Sequence, residues 1–164
     1  MFPERLLELA QEAIRACERA GLRLVITESC TGGLLSACLT EIPGASNVVE
    51  RGFVTYSNAA KTELLGVECA LIQDHGAVSA EVARAMAEGA LARVPAELSL
   101  AVTGIAGPAG ATPAKPVGLI HLACARKGAG TIDRRYLFAG ERGQVRLAAV
   151  EAAIEMLLGR ITPR

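Results

Sequence analysis

Leu22-Arg23-Leu24-Val25-Ile26-Thr27-Glu28-Ser29-Cys30-Thr31-Gly32-Gly33 decides how this chain is read. Its first half is short, apolar and β-branched, the pattern of a buried strand. Beyond it Leu34, Leu35, Cys38 and Leu39 recur at helical spacing, so the segment is a strand-to-helix turn with two glycines at the bend. The first N–H groups of a helix lack internal partners and carry the positive end of its dipole. Such a turn can hold a phosphate, a carboxylate or a developing oxyanion. Ser29, just ahead of it, is either a helix cap or a nucleophile.

A second apolar run, Leu98-Ser99-Leu100-Ala101-Val102-Thr103, enters a second glycine-rich turn, Gly104-Ile105-Ala106-Gly107-Pro108-Ala109-Gly110. In open α/β sheets ligands collect beyond the carboxyl ends of strands, so the two turns are expected to form two walls of one site. The remaining elements fall around this pair. Residues 3–20 form an amphipathic helix ended by Gly21, and a second helix runs to about residue 41 before Pro43-Gly44. Residues 47–56 are extended, with Gly52 marking a bulge or a close approach. A short helix starts at Ser57 or Asn58 and ends at Leu65-Gly66. Residues 72–78 read as loop, and Ser79 caps a helix over 80–93. Residues 118–125 and 131–138 form a hairpin across Lys127-Gly128-Ala129-Gly130, and a last helix covers 143–158. The order α-β-α-β-α-α-β-β-β-α predicts an α/β fold: a three-layer α/β/α sandwich around a mixed, largely parallel β-sheet, in one domain over 1–164.

Composition bounds the function. The 164 residues carry 17 basic and 17 acidic side chains, so no electrostatic footprint for nucleic acid or an anionic membrane is present. No apolar run approaches the roughly 18 residues of a spanning helix, and Met1-Phe2-Pro3-Glu4-Arg5 does not begin a signal peptide. A cytoplasmic protein is expected. Cys17, Cys30, Cys38, Cys69 and Cys124 are odd in number and include no CxxC pair, which suits reduced thiols. With only His75 and His121 beside them, neither a metal nor a cofactor is expected.

Three of the 17 basic residues, Lys61, Lys115 and Lys127, are lysines; the other fourteen are arginines. Lysine, unlike arginine, can lose its proton when desolvated and act as a base. Lys61 ends the segment Tyr56-Ser57-Asn58-Ala59-Ala60-Lys61. The spacing is one residue longer than SxxK and one residue different from YxxxK, so it also fits a polar helix start with a solvated lysine. Cys30 is a rival nucleophile, acidified by a helix N-terminus but without a histidine in its motif. His75 reads as a loop hydrogen-bonder and His121 as a residue satisfied within a strand.

Six motifs in order resemble the CinA C-terminal domain family over nearly the whole chain. They are Glu28-Ser29-Cys30-Thr31-Gly32-Gly33, the run Glu50 to Asn58 with Lys61, His75-Gly76-Ala77-Val78-Ser79, Thr103 to Pro108, Lys115-Pro116-Val117-Gly118, and Phe138-Ala139-Gly140-Glu141-Arg142. The resemblance implies nicotinamide-nucleotide amidohydrolase activity, converting nicotinamide mononucleotide to nicotinic acid mononucleotide and ammonia without a metal or cofactor. It implies a stand-alone form of the domain and a homo-oligomer, with a small-molecule substrate and no nucleic-acid or membrane partner. Carried onto this chain, Ser29 is the nucleophile, Tyr56 and Lys61 activate it, and Ser46 aligns with a further serine implicated in the site. Ala45, Ala109 and Ala111 depart from the family pattern and bear on substrate selection.

On that reading the amides of Thr31, Gly32 and Gly33 support the oxyanion. Thr103, Gly104, Arg142 and Lys115 are expected around the 5′-phosphate, since Arg grips phosphate bidentately. The alternatives are a non-catalytic nucleotide- or phosphate-binding module, and a serine amidohydrolase for another small amide.

Overall fold

The computed structural model describes residues 1–161. Its strands are β1 (Leu24–Glu28), β2 (Val49–Val54), β3 (Leu98–Gly104), β4 (Leu119–Arg126) and β5 (Ala129–Leu137). They form one sheet in the order β2-β1-β3-β4-β5. β1 runs parallel to both β2 and β3, and β4 and β5 continue the sheet antiparallel. The carboxyl ends of β1, β2 and β3 therefore lie together at one end of the molecule. The helices are α1 (Glu4–Ala20), α2 (Leu34–Thr40), α3 (Asn58–Leu65), α4 (Cys69–His75), α5 (Ala80–Arg93) and α6 (Arg142–Ile161). α1, α2 and α6 pack together on one face, while α3 and α4 pack on α5 over the other. This is the three-layer arrangement expected from the element order.

Side-chain alternation divides the core between the two faces. Leu24, Ile26, Leu98, Leu100, Val102, Ile120, Leu122 and Cys124 join the apolar cluster of α1, α2 and α6. Val25, Ala101, Ala123 and Ala125 face the other way, toward Ala83, Ala87 and Ala90 of α5. Small residues on both sides let α5 settle close to the sheet. Gly89 extends that closeness to α3, because a Cβ there would stand 2.0 Å from the Leu65 carbonyl oxygen. α3 is thus held tightly at its C-terminal end, and with it Lys61.

Two local expectations need correction. Residues 72–75, read as loop, complete the short helix α4, in which only Ile72 is buried; one inward apolar residue leaves no periodic signal. The hairpin turns across Lys127-Gly128 alone, since Arg126 already pairs with Ala129. No helix among the described residues is long and apolar enough to cross a membrane.

Candidate active site

The same alternation separates two adjacent residues at the end of β1. Glu28 shares the phase of Leu24 and Ile26 and turns toward α2, whereas Ser29 continues the phase of Val25 toward α3. There the Lys61 ammonium nitrogen donates to Ser29 Oγ at 3.0 Å and to the Thr55 carbonyl at 2.7 Å. Ser57 caps α3 by accepting from the Ala60 amide at 3.0 Å, which fixes the helix start four residues before Lys61. Lys61 is only 1% exposed. None of the ion pairs among the described residues involves it. Burial lowers its pKa from the ordinary lysine value of 10.5, with a smaller opposing influence from Cys30. A lysine so placed is driven toward the neutral amine, whose lone pair can take the Ser29 proton.

Glu28 overturns the expected use of the helix start. Its buried carboxylate accepts from the amides of Gly33 at 3.1 Å, Leu35 at 2.9 Å and Ser36 at 2.9 Å, and from the Ser36 hydroxyl at 2.6 Å. The negative charge that completes the α2 N-terminus therefore belongs to the protein itself. The Gly32 amide is also occupied, donating to the Ser29 carbonyl at 3.0 Å. Gly32 and Gly33 cannot support an oxyanion in this state. They supply the positive φ of the bend, 57° and 96°.

A cleft of about 250 Å3 lies between the two glycine turns, with Ser29, Cys30, Tyr56, Lys61, Thr103, Gly104 and Arg142 in its wall. A neighbouring hollow of about 590 Å3, beside Pro108, Val117 and Glu141, shares Ala106 and Arg142 with it. The first alone is smaller than the ~300–1,000 Å3 usual for small-molecule sites; joined to the second it reaches that range. Tyr56 stands exposed at the rim, its hydroxyl accepting from Arg142 at 3.2 Å and making no bond to Ser29. Arg142 also donates to the Gly107 carbonyl at 2.9 Å, which ties α6 to the second turn.

Not every predicted residue faces the cleft with a free polar group. The Thr103 hydroxyl donates to the Ala77 carbonyl at 2.8 Å. Gly104 is a close-packing residue, where a Cβ would stand 2.7 Å from the Leu119 carbonyl oxygen. Lys115 is outside the cleft wall, its ammonium held by the His75 carbonyl. Ser46 is exposed in the 3-10 turn Ala45–Asn47 that leads into β2, at the opposite end of the sheet from Ser29. Of the departing alanines, Ala109 lines the cleft.

Burial pushes the Cys30 thiol up to about 11, which keeps it protonated and weak beside Ser29 as a nucleophile. Burial, reinforced by Arg135, lowers the pKa of His121, which lies in β4 opposite Thr103. His75 stands 3.5 Å from Glu81 at the surface. No group of three His, Cys, Asp or Glu side chains is gathered among the described residues. Sequence reasoning missed Glu28 as the helix cap and also missed Arg146. Arg146 donates to the carbonyls of Cys30 at 3.2 Å and Thr31 at 2.7 Å. Its spacing of four from Arg142 on one helix was the available signal.

The CinA C-terminal domain model matches residues 6–161. A putative competence-damage inducible protein of Caldicellulosiruptor saccharolyticus is 45% identical over 91% of this chain and 36% of its own length. A CinA-like protein of Mycolicibacterium vanbaalenii is 48% identical over 87% of this chain and 34% of its own. The chain thus spans about a third of the length of the curated relatives it matches. Among solved structures, the competence/damage inducible protein CihA from Agrobacterium tumefaciens superposes with a TM-score of 0.95 at 46% identity, covering 97% of both chains. The CinA superfamily protein ECK1530/EC0983 from Escherichia coli gives 0.90 at 32% identity, covering 96% of this chain and 92% of its own. By sequence and by fold, the chain belongs to the CinA C-terminal domain family.

Proposed function

We propose that this chain is an amidohydrolase that converts nicotinamide mononucleotide and water to nicotinic acid mononucleotide and ammonia, a pyridine-nucleotide salvage step. The observation that carries the reading is the 3.0 Å contact between Ser29 Oγ and a buried lysine that has no ion-pair partner among the described residues. Lys61 takes the hydroxyl proton as Ser29 Oγ bonds to the carboxamide carbon. It returns that proton to the departing nitrogen, and the C–N bond breaks to leave an ester on Ser29. Lys61 then draws a proton from water as the water oxygen bonds to the ester carbon, and returns that proton to Ser29 Oγ as the C–Oγ bond breaks, freeing the acid and restoring the serine. Thr55 holds the lysine through its second hydrogen bond and so fixes the direction of its lone pair. Arg142 and Tyr56 stand where the cleft opens toward the larger hollow, suited to the ribose phosphate. A cytoplasmic homo-oligomer with a small-molecule substrate completes the reading.

The test is ammonia release from nicotinamide mononucleotide by the chain and by Ser29→Ala. The expected result is turnover in the first and a loss of at least about 10³-fold in the second, with the thermal transition unchanged. Tight calorimetric binding without ammonia release would instead show a nucleotide-binding module, and turnover of amides lacking the 5′-phosphate at equal rate would show a different substrate class.

A further inference from the structure

The turn that carries Ser29 uses most of its donors internally. The Ser29 amide donates to the Val102 carbonyl at 2.9 Å, Gly32 to the Ser29 carbonyl, and Gly33 to Glu28. Between them, the amides of Cys30 and Thr31 have no carbonyl or carboxylate partner among the described residues; that of Cys30 meets only its own sulfur, a weak acceptor that an oxyanion would displace. Ser29 and Gly32 are the ends of a β-turn and Cys30 and Thr31 its corners, the two positions whose amides a turn leaves unused.

A trans peptide points its C=O and N–H in opposite directions, so whatever grips a carbonyl also aims the amide across the same peptide. The Ser29 carbonyl, which shares a peptide with the Cys30 amide, is held by Gly32. The next two carbonyls, those of Cys30 and Thr31, are both gripped by the one guanidinium of Arg146; the Thr31 carbonyl shares its peptide with the Gly32 amide, so Arg146 aims the donor that holds the Ser29 carbonyl and through it the Cys30 amide. Arg146 belongs to the wall of neither hollow, so its work is done through the backbone.

We infer that the Cys30 amide is the oxyanion donor of this site and that Arg146 is the positioning residue that holds it in place. The inference rests on Ser29 being the nucleophile. As Ser29 Oγ bonds to the carbonyl carbon, the π electrons of that carbonyl move onto its oxygen, and the amide of the next residue in a sharp strand-to-helix turn lies beside it. Cys30 is that residue and lines the cleft. The donors of α2 are sealed by Glu28, so this charge is met at the corner of the turn and not by the helix end. The fork of Arg146 locks consecutive peptide planes together, which a single-point donor does less well.

The experiment measures kcat and KM for nicotinamide mononucleotide together with the rate at which an alkyl fluorophosphonate labels Ser29, read by intact mass. Wild type, Arg146→Ala, Arg146→Lys, and Arg146→Ala with millimolar guanidinium are compared. Arg146→Ala is expected to lose about 10²-fold in kcat and in labelling rate, with KM changing by less than about threefold. Arg146→Lys and added guanidinium should each restore part of both rates. Unchanged labelling and kcat would overturn the inference, as would a loss that neither lysine nor guanidinium relieves. If Arg146→Ala does not fold, the smaller loss in Arg146→Lys decides the same question. Wild-type labelling without ammonia release would defeat the substrate reading alone, since the Arg146 comparison can still be made on the labelling rate.

Discussion

The two glycine-rich turns look alike in sequence and do different work. The first, after β1, leads into a helix whose donors are already filled by Glu28, so its glycines shape a bend around Ser29. The second, after β3, leads into no helix at all. Its Gly104 is pressed against Leu119 and Ile120, and its Gly107 carbonyl is tied to Arg142. One turn presents the side chain of Ser29 to Lys61 and the other is a wall. The difference comes from one buried carboxylate and from the presence or absence of a helix after the bend, not from the glycines that drew attention to both.

The sharpest way to break that contrast is at Lys61 of α3, whose ammonium nitrogen bonds to Ser29 of the first turn. Lys61→Met is expected to reduce ammonia release by about 10³-fold or more, and Lys61→Arg to do nearly the same because arginine stays protonated. Activity of Lys61→Arg near wild type would make the lysine an electrostatic anchor. The fold should respond in the opposite sense. Burial lowers the Lys61 pKa below 10.5, so between that lowered value and 10.5 the unfolded chain holds more protons than the folded one. Wild-type stability relative to Lys61→Met should therefore rise with pH across that window, with the cost of the buried charge greatest below it. Urea unfolding at a series of pH values checks the slope, and a difference that falls as pH rises would contradict the assignment.

Glu28→Gln tests whether the first turn is closed by charge. A glutamine side chain offers one carbonyl oxygen where two carboxylate oxygens now accept three amides and a hydroxyl. The Ser36 hydroxyl can turn to accept, but at least one backbone amide loses its partner. A loss of about 2–3 kcal/mol is expected, read as a fall in the denaturant midpoint. A midpoint unchanged within error would mean that the α2 end does not need its carboxylate.

Much of this fold was legible because its strands and longer helices carry strong periodic patterns. α5 runs over 80–93 with Ser79 as its cap, as the sequence predicts, and Ser79 Oγ accepts from the Val82 amide. α4 was not legible, having one buried residue in seven. In the site, the meeting of Ser29 with Lys61 arose from a strand end and a helix start, both locally encoded. The role of Glu28 was hidden because a residue at a strand's end, next to Ser29, gives no sign of which sheet face it takes; that depends on counting the alternation from Leu24. Arg146 was missed, and Lys115 was expected in the cleft, for a related reason. Their partners are backbone carbonyls more than 30 residues away, and backbone carbonyls have no signature in sequence.

Arg142 offers the smallest effect and the most direct test of the second turn as a wall that also binds. It bridges the Gly107 carbonyl and the Tyr56 hydroxyl and borders both hollows. An exposed guanidinium with donors to spare there would hold a phosphate in the ground state and the transition state alike, so its loss should raise KM and leave kcat nearly intact. Arg142→Ala is expected to raise KM for nicotinamide mononucleotide about tenfold, in the range of one charge-assisted hydrogen bond. The same variant should leave KM for the dephosphorylated nucleoside unchanged, because the contact it removes is to the phosphate. If both substrates lose equally, Arg142 acts only by tying α6 to the second turn, and the phosphate is met elsewhere in the larger hollow.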